Sequence, residues 1–287
     1  MVYATPFCSH LANPTPFYLG GNIVRIFFSS RNLKNKAGIT FIDLDIDRFE
    51  LSNNKLNILF EAEGYTNTYF RDGISLGNIF SHKMRYFLSF MGWDISSKSP
   101  WEGRVGIAEI DPFSPSLLYI SDTPIIETFE HVDSSLSYPM VRAINDELHI
   151  WYGNTLKKDA GNGDMLHTIH FSILKSDNSL EHKGQVIDYE IGKSQAFSRP
   201  TILEHNGTLN MLYSVRGIST NYRIKRVVSN DGFTWEKADF QLIGTNHLGE
   251  QEMQCYPYLI TIADKVFLFY NGNEYGRSGM GIAILEQ

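Results

Sequence analysis

Cysteine is scarce in this chain: among 287 residues only Cys8 and Cys255 carry a thiol. Two thiols do not make a disulfide framework, so a stapled extracellular scaffold is not expected. Long apolar runs are missing too, which argues against membrane insertion. Positive charge is in deficit, 25 Lys+Arg against 32 Asp+Glu for a net charge of -7. That argues against broad binding to nucleic acid or anionic membranes, although a local basic pocket remains compatible with it. The opening stretch MVYATPFCSHLANP has no basic segment followed by an apolar run, so no secretory leader is expected. The expectation is a reduced, cytoplasmic protein without cofactor or metal. No stretch has a convincing amphipathic helical period.

Aromatic residues are plentiful, 15 Tyr and 19 Phe, and such residues favour strands. The segment FSRPTILEHNGTLNMLYSVRG, from Phe197 to Gly217, shows the organisation. Asn206-Gly207 between two apolar runs is a strong hairpin signal, because both residues tolerate positive φ. In an antiparallel hairpin the start of the first strand and the end of the second share one edge. Arg199 and Arg216 are therefore expected to converge at the end far from the turn.

The pattern recurs. Hairpins are expected at Asn13–Asn32, Phe70–Asp94, Ser137–Thr155 and from Cys255 onward, and each is followed by a third strand. Pro14, Gly73, Pro139, Pro200 and Pro257 mark the openings, a period of roughly 60 residues that suits a blade of three or four strands. The fold class expected is all-β, one five-bladed β-propeller over residues 1–287, with blades opening near residues 13, 71, 138, 199 and 256. Ser229–Lys237, with the sequence SNDGFTWEK, reads as the turn before an outer strand. The alternative is a β-sandwich with long irregular loops.

If the first strand of each blade lines an axis, the openings and the second-strand ends crowd one mouth. That gathers His10, Arg31, Arg71, Asp72, Trp93, Asp94, Arg199, Arg216, Tyr256 and Asn271 there, with Asp133 and Glu252 just before openings. Carboxylates, arginines, amides and aromatics suit a sugar, whose hydroxyls need planar hydrogen-bonding groups and whose apolar face stacks on a ring. A neutral glycan does not call for Arg31, Arg71, Arg199 and Arg216 together. Guanidinium pairs with phosphate or carboxylate, so Arg199 and Arg216 are expected to clamp an anionic part of the ligand: phosphate, nucleotide diphosphate, uronate or a sialic-type carboxylate. The competing reading is that they neutralise neighbouring carboxylates.

The recurrent opening, hairpin and Tyr-Asn-Gly pattern resembles the five-bladed propellers of glycoside hydrolase families 43, 32 and 130. FRDG is similar to the Arg-Asp motif of family 32, which by that match makes Asp72 the transition-state-stabilising carboxylate. NPTP stands where that family has Asn-Asp-Pro, so its nucleophilic Asp has no counterpart beside Asn13. SYPM and SRPT open the third and fourth blades without the families' acid/base Glu. EMQCYP and YNGNEYGRSGMGIA resemble glycosidase-like propellers encoded among surface-polysaccharide genes. Glycosidase chemistry needs two flanking carboxylates. Asp72 and Glu252 are the leading pair, with Asp133 and Asp94 in reserve. Three functions stay open: a glycoside hydrolase or transglycosylase; a phosphate-using glycoside phosphorylase or glycosyltransferase, family 130 phosphorylases being the relevant resemblance; and a non-catalytic glycan-binding propeller.

Overall fold

The computed structural model describes residues 9–52, 55–95, 101–129, 134–242 and 249–285. These form an almost entirely β structure of five successive antiparallel groups. The first holds β1 (Ser9–Gly20), β2 (Ile23–Arg31) and β3 (Ala37–Asp45), with the short β4 (Glu50–Leu51) and β5 (Asn57–Phe60) on β3. The second is β6 (Gly73–His82), β7 (Arg85–Asp94), β8 (Glu102–Asp111) and β9 (Ser116–Ile120). The third is β10 (Leu136–Ile144), β11 (Glu147–Lys157), β12 (Leu166–Leu174) and β13 (Leu180–Gln185). The fourth is β14 (Ala196–His205), β15 (Thr208–Arg216), β16 (Arg223–Ser229) and β17 (Glu236–Ala238). The fifth is β18 (Cys255–Ile262), β19 (Lys265–Asn271) and β20 (Met280–Leu285). Single parallel pairings, Ala37 with Gly73 and His167 with Ala196, connect the first group to the second and the third to the fourth.

Turn chemistry sets the inner hairpins. Asn206-Gly207 has positive φ at both residues, and so do Asn145-Asp146, Lys83-Met84 and Ala263-Asp264. This is the turn whose twist matches the flanking strands. Asp231 closes the SNDGFTWEK turn by accepting from the backbone N–H groups of Phe233 and Thr234, both at 2.8 Å. Those bonds to its ionised form hold its carboxyl down at about 2. Strand β17 follows, in line with the sequence reading.

A second device repeats on the first strands. Pairing skips two residues at Asn13-Pro14, Tyr138-Pro139, Arg199-Pro200 and Tyr256-Pro257, and the residue before each proline has positive φ. The matching skip in the second group falls at Gly77-Asn78, beyond the Gly73 that the sequence suggested. A Cβ on Gly77 would lie 2.1 Å from the carbonyl oxygen of Pro139. Close backbone approach, not proline, therefore defines that bulge.

Apolar clusters lie between each consecutive pair of groups: Phe27 with Phe70, Val105 with Tyr152, Trp151 with Phe197, and Leu212 with Leu268. A further cluster joins the last group to the first through Phe269 and Phe28. Both faces of most sheets are thus buried, which is why the strands read as near-continuous apolar runs. Asn271 reinforces the last-to-first contact. Its side chain accepts from Asn13 N at 2.8 Å and donates to Leu11 O at 2.7 Å.

Candidate functional site: a cavity at the strand openings

First strands begin, second strands end and third strands begin at the same end of the molecule. A cavity of about 290 Å³ opens there. Trp93 and Trp101 form one side, their rings 5.9 Å apart. Tyr138, Tyr222, Tyr256 and Tyr275 form the other. Tyr138 and Tyr256 join through their hydroxyls at 3.1 Å. Tyr275 sits on the tight turn Asn273–Gly276, where left-handed φ at Glu274 and Tyr275 turns the ring inward. Burial pushes the Tyr256 and Tyr222 hydroxyls well up, so both stay neutral donors.

Two cations line the cavity. Arg31, at the end of β2, lies over the Trp93 ring, 5.5 Å from its centroid, and donates to Asn35 Oδ1 at 2.9 Å. Arg216, at the end of β15, is forked onto the Asp164 carboxylate, with one N–H···O contact at 3.0 Å. That pair raises the guanidinium's basicity and holds the Asp164 carboxyl below its usual range. Two histidines also line the cavity. His10 is half-buried, and desolvation together with Arg31 lowers its basicity. His167 is buried between Ser137 Oγ at 2.7 Å and Thr155 Oγ1 at 2.9 Å, and burial drops its pKa to about 3. It is a neutral imidazole. Gly153 makes room for this pair, since a Cβ there would lie 2.2 Å from both His167 and Ser137.

Two buried polar atoms at the cavity have no protein partner, Asn13 Oδ1 and Ser198 Oγ. Such atoms are costly unless water or a ligand satisfies them. They make the cavity floor a place prepared for hydrogen bonds. Among the described residues no carboxylate lines the cavity, and no group of three His, Cys, Asp or Glu is arranged to hold a metal.

His10, Arg31, Trp93, Arg216 and Tyr256 thus come together as the sequence suggested. Others do not. Asp72 lies in the turn before β6, where its carboxylate accepts from Ile95 N at 3.0 Å. Arg71 beside it receives the Lys36 ammonium on its carbonyl oxygen at 2.8 Å. Asp94 ends β7 outside the lining. Glu252 is exposed, and its carbonyl, not its carboxylate, accepts from Arg223. Asn271 ties backbone together as described above. Asp133 and Cys8 lie outside the described residues, and Cys255 is buried.

Arg199 departs furthest from the clamp expected of it. It is 1% exposed and does not line the cavity. Its positive φ swings the side chain out of the hairpin toward the other groups. It donates to the carbonyl oxygens of Tyr256 at 3.0 Å, Pro14 at 2.9 Å and Gly77 at 3.1 Å, and to Thr15 Oγ1 at 2.8 Å. One guanidinium therefore ties together four of the five groups, and burial lowers its pKa to about 10. Arg199 and Arg216 lie at the same end of one hairpin, Arg216 paired with Ala196 and Arg199 in the bulge, and they end in separate environments.

Sequence reasoning missed Trp101, Met165, His167 and Tyr222 in the lining. All four stand at the beginnings of third strands. The signal was available: in an antiparallel meander the first and third strands run the same way, so both begin at the mouth.

No protein-family model matches the chain. Two proteins of Mycobacterium tuberculosis, the uncharacterized proteins Rv1502 (strain H37Rv) and MT1551 (strain CDC 1551), are each 28% identical over 284 residues. The match covers 97% of this chain and 93% of theirs. A solved glycoside hydrolase superposes with a TM-score of 0.79 at 13% identity, covering 100% of this chain and 90% of that one. A thermostable family-43 glycoside hydrolase gives 0.70 at 13%, covering 100% and 93%. The GH32 β-fructofuranosidase of Bombyx mori gives 0.66 at 11%, covering 98% of this chain and 61% of that one. The chain has the fold of glycoside hydrolases of families 43 and 32. At these identities the likeness speaks for architecture, and activity rests on the site.

Proposed function

We propose that the five groups are the blades of one closed five-bladed β-propeller, and that the protein is a cytoplasmic carbohydrate-active enzyme acting on glycosidic bonds at the mouth cavity. Apolar packing between every consecutive pair of groups, and between last and first, supports closure. One observation carries the functional reading: a sugar-sized cavity walled by tryptophan and tyrosine, with unpartnered Asn13 Oδ1 and Ser198 Oγ at its floor and Arg31 and Arg216 on its walls. Rings take the apolar face of a sugar, the floor takes hydroxyls, and the guanidinium groups take an anion.

Transfer of a glycosyl group to or from phosphate fits this set best. In that reaction a phosphate oxygen and a sugar oxygen exchange at the anomeric carbon, and the protein's main task is to hold the phosphate and orient the ring. Paired-carboxylate hydrolysis requires one protonated and one ionised carboxyl beside the scissile bond, and the described lining offers neither. Hydrolysis is the second reading. It draws on the likeness of fold to glycoside hydrolases and would need a carboxylate such as Asp133, which lies outside the described residues.

The test is a panel of oligosaccharides and glycosyl 1-phosphates, assayed with and without inorganic phosphate. Turnover that depends on phosphate, and weakens on Trp93→Ala, is the expected result. Cleavage that ignores phosphate would move the assignment to hydrolysis. Binding without turnover of any member would leave a glycan-binding propeller.

A further inference from the structure

A groove of about 490 Å³ runs outward from the mouth along the junction of the third and fourth groups. Arg216 and Phe197 line both it and the cavity. Its walls carry Lys193, Arg223, Lys225, Arg226 and Lys237 besides Arg216, against two carboxylates, Asp188 and Asp239. This concentration of positive charge stands on a chain whose net charge is -7.

Strand register explains how it is built. Arg223 pairs across from Val215, Lys225 from Tyr213, and Lys237 from Val227. Directly opposed residues point to the same side of a sheet, so the three exposed cations share the face on which Tyr213 and Val227 pack toward the third group. Several cations elsewhere on the surface are matched, Arg85 with Glu109, Arg142 with Glu204 and Lys175 with Glu181, and in the groove itself Lys193 pairs with Glu190. Among the described residues Arg223, Lys225, Arg226 and Lys237 form no ion pair. Arg226 forks onto the amide oxygen of Asn210, and Arg223 donates to backbone carbonyls. Arg223, Lys225 and Lys237 thus present charge to the groove that Asp188 and Asp239 offset only in part.

We propose that this groove is a second binding site that holds the anionic continuation of a glycan whose end occupies the cavity, a chain bearing uronate carboxylates or phosphodiesters. The proposal rests on the cavity being a sugar site. A row of cations continuous with that cavity through Arg216 suits regularly spaced anions on a sugar backbone, and a nucleic acid is the competing occupant.

The test titrates the full chain with an octagalacturonate, a mannose phosphodiester oligomer, neutral maltooctaose and a single-stranded octanucleotide, at low and high salt. The double variant K225E/K237E removes two exposed lysines outside the cavity lining, and a thermal melt checks that it folds. The wild type should bind at least one anionic glycan, more weakly as salt rises. The variant should bind it at least about tenfold more weakly, roughly the factor expected for lost charge-assisted contacts. Maltooctaose should change little. Unchanged affinity in the variant, absence of binding to both anionic glycans, or tighter binding of the octanucleotide would overturn the proposal. A monosaccharide phosphate reports separately on the cavity. The variant should leave its affinity within about twofold, so failure of the cavity reading shows as no binding of that probe to the wild type.

Discussion

Arg199 and Arg216 leave the same hairpin edge and meet opposite fates. Arg199 is enclosed by neutral acceptors from three other groups. At the mouth, Arg216 faces a cavity and leans on the Asp164 carboxylate. The difference lies in the backbone. Arg199 occupies the two-residue bulge before Pro200, where left-handed φ reverses the side-chain direction, whereas Arg216 ends a regular strand. One charge organises the fold and the other is available to a ligand.

Breaking the Arg199 contacts should have the largest effect. Arg199→Met strips a partner from four buried oxygens at once, and leaving buried acceptors unpaired costs a substantial part of a domain's stability, about 3–5 kcal/mol here. The expected result is a fall of roughly 10 °C in the thermal unfolding midpoint. Arg199→Lys should recover only part of it, because an ammonium cannot span the same acceptors. A melt unchanged by Arg199→Met would show that the three carbonyl contacts and the Thr15 hydroxyl contact contribute little.

Acid should come next, through His167 at the cavity and His170 further along the same strand. His167 has its folded pKa at about 3 and His170 at about 4, both depressed by burial from the ordinary histidine value of 6.5. Below 6.5 the unfolded chain takes up protons that the folded chain refuses, so stability falls as pH drops from about 6.5 toward these values. Urea unfolding at a series of pH values should show that slope, and His167→Gln should flatten it. A slope unchanged by that substitution would mean that His167 does not carry it.

Asp164→Asn sharpens the comparison by moving two readouts in opposite directions. The half-buried ion pair is lost, which should cost about 1–2 kcal/mol of stability, between the values for exposed and buried pairs. The freed Arg216 guanidinium should meanwhile bind a sugar phosphate more tightly. Parallel losses in both readouts would show that Asp164 supports the ligand site instead of competing for its cation.

Much of the architecture was legible because it rests on local rules. Asn206-Gly207 and Asn145-Asp146 state their turns outright, and the recurrent Xaa-Pro openings mark four bulges. Ala263-Asp264 has Asp264 alone to favour its turn, and Lys83-Met84 adopts the same positive-φ turn without any residue that favours it, so there the flanking strands impose the geometry. The site was less legible. Asp72 looked catalytic by resemblance, yet its carboxylate is spent on Ile95 N. Strand parity could have found His167 and Tyr222, but no sequence pattern announces that a bulge will turn Arg199 inward while Arg216 stays at the mouth.

The most direct test of this division is calorimetric titration of the wild type, Arg31→Ala and Arg216→Ala with a glycosyl 1-phosphate and with its uncharged sugar. A charge-assisted hydrogen bond is worth roughly 1.5–3 kcal/mol. Each mouth substitution should therefore weaken the phosphate by about ten- to a hundredfold, while the uncharged sugar shifts by no more than about twofold. Equal losses for both ligands would contradict the account, because the mouth arginines would then be shaping the cavity, as Arg199 shapes the fold, and not holding an anion.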